Sequence, residues 1–127
     1  MKTIYHHYVE IADASGILGA ANKFSVTALD VLAENDRFMV VNDAYFTTLD
    51  KTAAKYGVGS PLGKEKISTS ANDSVWGNRI TYSLYSEKRK KADTIRRAIE
   101  REIEKRFGFF ARGIDLSVIS DKKGGAL

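Results

Sequence analysis

Residues 74–110, SVWGNRITYSLYSEKRKKADTIRRAIEREIEKRFGFF, hold the only tryptophan of the chain, an alternating apolar run, a block of cations and a long amphipathic segment. Ile80, Tyr82 and Leu84 alternate with Thr81, Ser83 and Tyr85, so the period of two predicts a strand over 79–85. Beyond it Ala92, Ile95, Ile99, Ile103 and Phe107 recur at steps of three and four, the period of a helix with one apolar stripe. Asp93 and Arg97 are spaced for an ion pair on its wet side, and Gly108 supplies a stop. The spacing Ile114, Leu116, Val118 then suits a final strand, so the C-terminal half reads as strand, helix, strand.

The N-terminal half supplies more strands. Tyr5, His7, Val9 and Ile11 alternate up to a turn signal at Asp13 to Gly16, which sends His6 and His7 to opposite faces. Between Lys23 and Leu49 the run divides at Glu34-Asn35-Asp36, with alternation before it and the apolar cluster Phe38 to Val41 after it, which predicts a β-hairpin. A short helix capped by Ser25 and ending at Leu32 is the competing reading. Residues 51–74 are rich in Gly, Ser, Thr, Asn and Lys with little periodicity and are expected to form a long loop, and residues 120–127 a flexible tail. The expected fold is α+β: a small mixed or antiparallel sheet packed by one long amphipathic helix, in a single domain over 1–127.

Composition narrows the function. No apolar run approaches the roughly 18 to 20 residues that span a bilayer, and the histidines and glutamate of MKTIYHHYVEIADASG interrupt any signal-peptide core, so a cytoplasmic address without a membrane partner is expected. With no cysteine and only two adjacent histidines, which diverge on a strand, no metal set and no thiol chemistry is expected. A serine or threonine triad would have to use one of those two histidines as its base. Glu100 and Glu104 read as a solvated helix face rather than a catalytic pair, so the chain is expected to be non-catalytic and without cofactor. In YGVGSPLGKE, Gly57 and Gly59 stand six and four steps before Gly63, where a nucleotide-binding P-loop needs about five, and Glu65 replaces its Ser or Thr.

The charge is more informative in its placement than in its total. The whole chain carries a net +4, and the segment from Ser86 to Arg97 alone accounts for that excess through Lys88, Arg89, Lys90, Lys91, Arg96 and Arg97 against Glu87 and Asp93. Lys88 to Lys91 are expected in the first turns of the helix, where they oppose its dipole by a few tenths of a kcal/mol each and a bound polyanion would offset the cost. Trp76, Asn78 and Arg79 could stack a base, pair with its edge and fork onto a phosphate, and Phe110 with Arg112 repeats the aromatic-basic theme. The bland alternatives are a core tryptophan beside a turn and solvated cations that keep the protein soluble.

In its size, its lack of cysteine, its segments WGNR and EKRKK and its lack of catalytic residues, the chain resembles the small phage-encoded counter-defence proteins that sequester nucleotide-derived signals between subunits. That resemblance implies a homo-oligomer holding a nucleotide-like, phosphate-bearing small molecule. The alternatives are a nucleic acid lying along the same cations, or a host protein inhibited by the basic helix.

Overall fold

In the computed structural model, which describes residues 2–12, 22–53, 60–72, 77–107 and 116–121, the alternating runs become strands and the three-and-four spacing becomes a helix. The elements are β1 (Thr3–Ala12), β2 (Lys23–Glu34), β3 (Phe38–Val41), β4 (Thr48–Asp50), β5 (Ser60–Pro61), β6 (Lys66–Asn72), β7 (Gly77–Ser86) and α1 (Ala92–Phe107). The strands are ordered β5-β4-β3-β2-β1-β7-β6 in one sheet. β2 and β3 are antiparallel, as are β3 and β4, whereas β4 and β5 are parallel, so the sheet is mixed. α1 packs the sheet, which makes the fold α+β. Among the described residues no helix is long and apolar enough to cross a membrane.

Contacts gather the chain into two compact units, the first comprising Met1–His7, Ser25–Lys66 and Ser83–Arg89. Its core is Ile4, Leu29, Met39, Val41, Leu49 and Tyr85, with Val31 and Leu62 packed against it. The hairpin expected at Glu34 to Asp36 forms because Asn35 closes it: its side-chain oxygen accepts the Arg37 and Phe38 amides at 2.8 and 2.7 Å, and its own amide donates to the Phe38 carbonyl. β2 is thus a strand and not the competing helix. The turn sets a register in which Met39 faces Glu34 and Val41 faces Val31, with a bulge between Val31 and Ala33. Arg37 then pairs with Asp50 at 3.2 Å, and Glu34 accepts both Lys2 and Lys51.

Residues 51–74, expected to be a loop, contain β5 and β6, while 54–59 and 73–74 lie outside the described residues, Gly57 and Gly59 among them. KISTSAN has too few apolar residues to betray a strand, and β6 is an edge strand paired to β7. Between β5 and β6 the Gly63 amide donates to the Tyr85 carbonyl at 2.6 Å. With φ at +81°, Gly63 has the backbone conformation that favours glycine, which accounts for its presence by turn geometry.

The second unit comprises Tyr8–Phe24, Ile67–Tyr82 and Lys90–Leu127. It buries Val9 and Ile11 of β1, Ile80 and Tyr82 of β7, and Ala92, Ile95, Ile99 and Ile103 of α1, which belong to the stripe expected from the spacing, together with Ala98; the side chain of Phe107, the last of that stripe, lies outside the described ones. Each of those isoleucines contributes about 1.5–3 kcal/mol by leaving water. The final strand expected around Ile114 to Val118 does not form where it is described: residues 116–121 make a turn, with the Ile119 amide on the Leu116 carbonyl at 3.0 Å. Leu116 and Ile119 are the buried pair there, a step of three that suits a turn and not a strand.

Replacing Ile99, which is fully buried, by alanine should lower stability by about 2–5 kcal/mol in urea denaturation, whereas Lys105→Ala on the exposed face should stay within about 0.5 kcal/mol. Equal, small effects at both positions would mean that the stripe is not a core.

Candidate functional site

The cations of the sequence block precede the helix and are not inside it. β7 ends at Ser86, whose hydroxyl donates to the Lys88 carbonyl, and Lys88 to Lys91 follow as an exposed, non-helical segment. The Lys91 carbonyl accepts the Thr94 and Ile95 amides at 3.1 and 3.3 Å, which makes Lys91 the residue that opens α1. The expectation that these cations occupy the first helical turns is therefore corrected by at least one turn. Cations are disfavoured at that end of a helix, and the first turn carries Asp93 instead.

A second carboxylate completes the arrangement. Asp121 accepts the Ala92 amide through Oδ2 at 2.9 Å, satisfying one of the donors that a helix start leaves open. Lysine is a poor capping side chain, so the cap arrives from a distant part of the chain. The anion that the helix end favours is supplied by the protein itself.

Arg96 and Arg97 lie on α1 as expected, and both bind Asp93: Arg96 through Oδ1 and Arg97 through Oδ2 at 3.0 Å. Arg96 also donates to the Ile119 carbonyl at 3.4 Å. One carboxylate thus partly offsets two guanidinium groups, and Arg96 is committed to holding residues 116–121. Elsewhere among the described residues Lys2, Arg37 and Lys51 pair with acids, whereas Lys88, Arg89 and Lys91 enter no ion pair. Asn78 and Arg79 belong to β7, and Trp76, Phe110 and Arg112 lie outside the described residues. Of the residues singled out in the sequence, Lys88 to Lys91 form one exposed basic stretch, and Arg96 with Arg97 form a separate, acid-paired group.

The structure also assembles a cluster that one-dimensional spacing does not reveal. His6 Nε2 lies 2.9 Å from the Ser83 hydroxyl, and the His6 ring stacks on Tyr85 with centroids 4.1 Å apart and planes within 5°. Tyr85 donates to Asp43 Oδ2 at 3.4 Å, and the Thr47 hydroxyl donates to the same oxygen at 2.6 Å. Asp43 Oδ1 accepts the Tyr45 and Thr47 amides, closing a turn that leaves Tyr45 and Phe46 exposed and Phe46 at φ +50°. On the opposite face His7 is fully buried, and its Nδ1–H donates to the Leu84 carbonyl at 3.2 Å. The two histidines diverge as the strand period requires.

Ser83 beside His6 is the first contact of a nucleophile and its base. Asp43, however, directs its oxygens to Thr47, Tyr85 and the turn amides, so these bonds fasten a turn to a strand. Burial of His6 favours its neutral form and lowers its pKa, outweighing the opposite pull of the Asp43 charge. Burial alone would raise the Asp43 carboxyl, but the Thr47 hydroxyl and the turn amides outweigh it and hold that group below the usual carboxylate range. Among the described residues no group of three or more His, Asp and Glu could hold a metal ion.

Because the folded His6 titrates below its unfolded value of about 6.5, its contribution to stability is complete above that pH and is lost as pH falls toward the folded pKa. The variant His6→Phe keeps a ring against Tyr85 without the titration. Between about pH 7.5 and 5.5 wild-type stability should fall relative to the variant, by at most about 1.4 kcal/mol per pH unit in urea denaturation. Parallel profiles for the two proteins would show that the fold does not hold His6 neutral.

Comparison with family models, with curated proteins and with solved structures finds no match to this chain.

Proposed function

We propose that the protein is a non-catalytic binding protein that engages successive phosphates of a nucleic acid through Lys88, Arg89, Lys90 and Lys91. The observation that carries this is the exposure of four consecutive cations on a non-helical segment while neighbouring Arg96 and Arg97 are taken up by Asp93. Exposed ammonium and guanidinium groups bind phosphodiesters mainly by releasing condensed counterions, a mechanism that needs no enclosed cavity and no fixed side-chain geometry. A row of exposed cations on a non-helical segment supplies that. The net charge of the chain resides in the same stretch, so the positive field steers a polyanion to it. A nucleic-acid partner also suits a cytoplasmic protein.

The other occupant of the same cations is a nucleotide-like small molecule of the kind sequestered by phage counter-defence proteins, gripped with help from Trp76, Asn78 and Arg79. Salt separates the two. Binding of a labelled single-stranded oligonucleotide, followed by fluorescence anisotropy between about 50 and 200 mM salt, should show a log–log slope near −3 or steeper, since each phosphate contact contributes about −0.7. Replacing Lys88, Arg89, Lys90 and Lys91 together by serine should flatten most of it. A wild-type slope near zero, or saturable binding of mononucleotides in place of the oligonucleotide, would overturn the nucleic-acid assignment.

A further inference from the structure

The turn between β3 and β4 presents two adjacent aromatic rings on a tightly bonded backbone. Tyr45 is 88% exposed and Phe46 61%, the most exposed large hydrophobic side chains among the described residues. Asp43 fixes the turn with both carboxylate oxygens: Oδ1 accepts the Tyr45 and Thr47 amides at 3.0 and 2.9 Å, and Oδ2 accepts the Thr47 hydroxyl at 2.6 Å. The Phe46 amide donates to the Asp43 carbonyl at 3.3 Å, and the Val41 amide to the Thr47 carbonyl at 3.0 Å. Phe46 is held at φ +50°, a left-handed conformation that is unfavourable for a bulky side chain. Glycine or asparagine would reverse the chain there with less strain, so turn geometry does not account for a phenylalanine whose ring stays in water. The same turn is tied to the strand that leads into the basic stretch. Tyr85 donates to Asp43 Oδ2 at 3.4 Å, and Lys88 follows Tyr85 by three residues, a span of at most about 11 Å. Lys88 and Arg89 are exposed and belong to the same compact unit as the turn.

We infer that Tyr45 and Phe46 form a stacking platform for unpaired bases of the nucleic acid whose phosphates lie on Lys88 and Arg89. Stacking of this kind presupposes the nucleic-acid binding proposed above and specifies that the bound strand is single. Proteins that hold single strands without reading their sequence combine cations along the backbone with aromatic faces on which bases stack. The two parts act differently: cations give an attraction that falls with salt, whereas rings give a preference for bases with uncovered faces. In a duplex those faces are already stacked on one another, so only a single strand uses both parts. Area argues against a protein partner. Two aromatic side chains offer about 300–500 Å², well short of the about 800 Å² per partner that a stable protein interface buries. The flanking Asn42 and Thr48 are exposed and polar, so they do not extend the rings into a larger apolar patch.

Anisotropy with a labelled single-stranded oligonucleotide, a duplex of the same length and a single strand carrying abasic sites tests the platform. Wild type should bind the intact single strand more tightly than either of the others. Tyr45→Ser with Phe46→Asn removes both rings, and asparagine tolerates the left-handed backbone at residue 46, so the turn is kept; circular dichroism and the urea midpoint check this. The double variant should bind the intact strand about 100-fold more weakly, about tenfold for each ring, with the salt slope of wild type, and should no longer distinguish intact from abasic strands. Tyr45→Phe, which keeps the ring face and loses the hydroxyl, should bind as wild type does. Unchanged affinity in the double variant, alongside a slope flattened by serine at residues 88–91, would overturn the inference and leave the nucleic-acid proposal standing. No salt-dependent binding by the wild type would overturn both. Equal binding of intact and abasic strands by the wild type, a measurement that needs no variant to fold, would overturn the platform, as would a preference for the duplex. Sedimentation showing a dimer that the double variant abolishes would assign the rings to a second copy of the chain and also overturn it.

Discussion

A helix cannot comfortably begin within a run of cations, and much of the C-terminal half follows from that constraint. The amides at a helix start carry partial positive charge and lack intrahelical acceptors, so they need an anion. Four cations in a row delay the helix until Ala92, with Asp93 in the first turn and Asp121 brought from 29 residues away to accept the Ala92 amide. Once Asp121 is held there, Arg96 can reach the Ile119 carbonyl, and Leu116 and Ile119 are buried within the same unit as the isoleucines of α1. The basic segment is left outside the helix and exposed.

In the other unit short polar side chains do comparable work at turns. Asn35, Asp43 and Asp50 each accept hydrogen bonds from residues two to four positions ahead in the chain, and each thereby fixes the end of a strand. With both ends fixed, Met39 and Leu49 pair across β3 and β4 and are fully buried, as is Val41. The Asp50 carboxyl is held below its ordinary range first by the Thr52 amide and hydroxyl and then by Arg37, so the ion pair reinforces a turn that the backbone already defines. Surface pairing contributes little by itself.

Legibility in the sequence tracks how local the governing interaction is. β1, β7, the hairpin and the stripe of α1 follow from periodicities of two and 3.6, which are properties of neighbouring residues. β6 was hidden because KISTSAN carries few apolar side chains and owes its state to a partner strand. Alternation of Leu116 and Val118 suggests a final strand, while the fold buries Leu116 and Ile119. The start of α1 is not legible locally because the carboxylate that accepts its first amide, Asp121, is remote. His6 and Ser83 are 77 residues apart, and only the pairing register of β1 with β7 brings them together. No spacing rule contains that register.

The same distinction decides which cations can serve a ligand. A lysine or arginine already bound to a carboxylate must exchange that partner for a phosphate, so its gain is the difference between two similar interactions. Lys2, Arg37, Lys51, Arg96 and Arg97 are of this kind. A cation solvated by water and by mobile counterions loses much less on meeting a polyanion, because the released ions enter bulk solution and drive the association. By that criterion composition overstates the available charge at Arg96 and Arg97, where the sequence shows two arginines and the fold ties both to Asp93. Lys88, Arg89 and Lys91 are exposed and enter no ion pair among the described residues, because helix electrostatics keeps them out of α1.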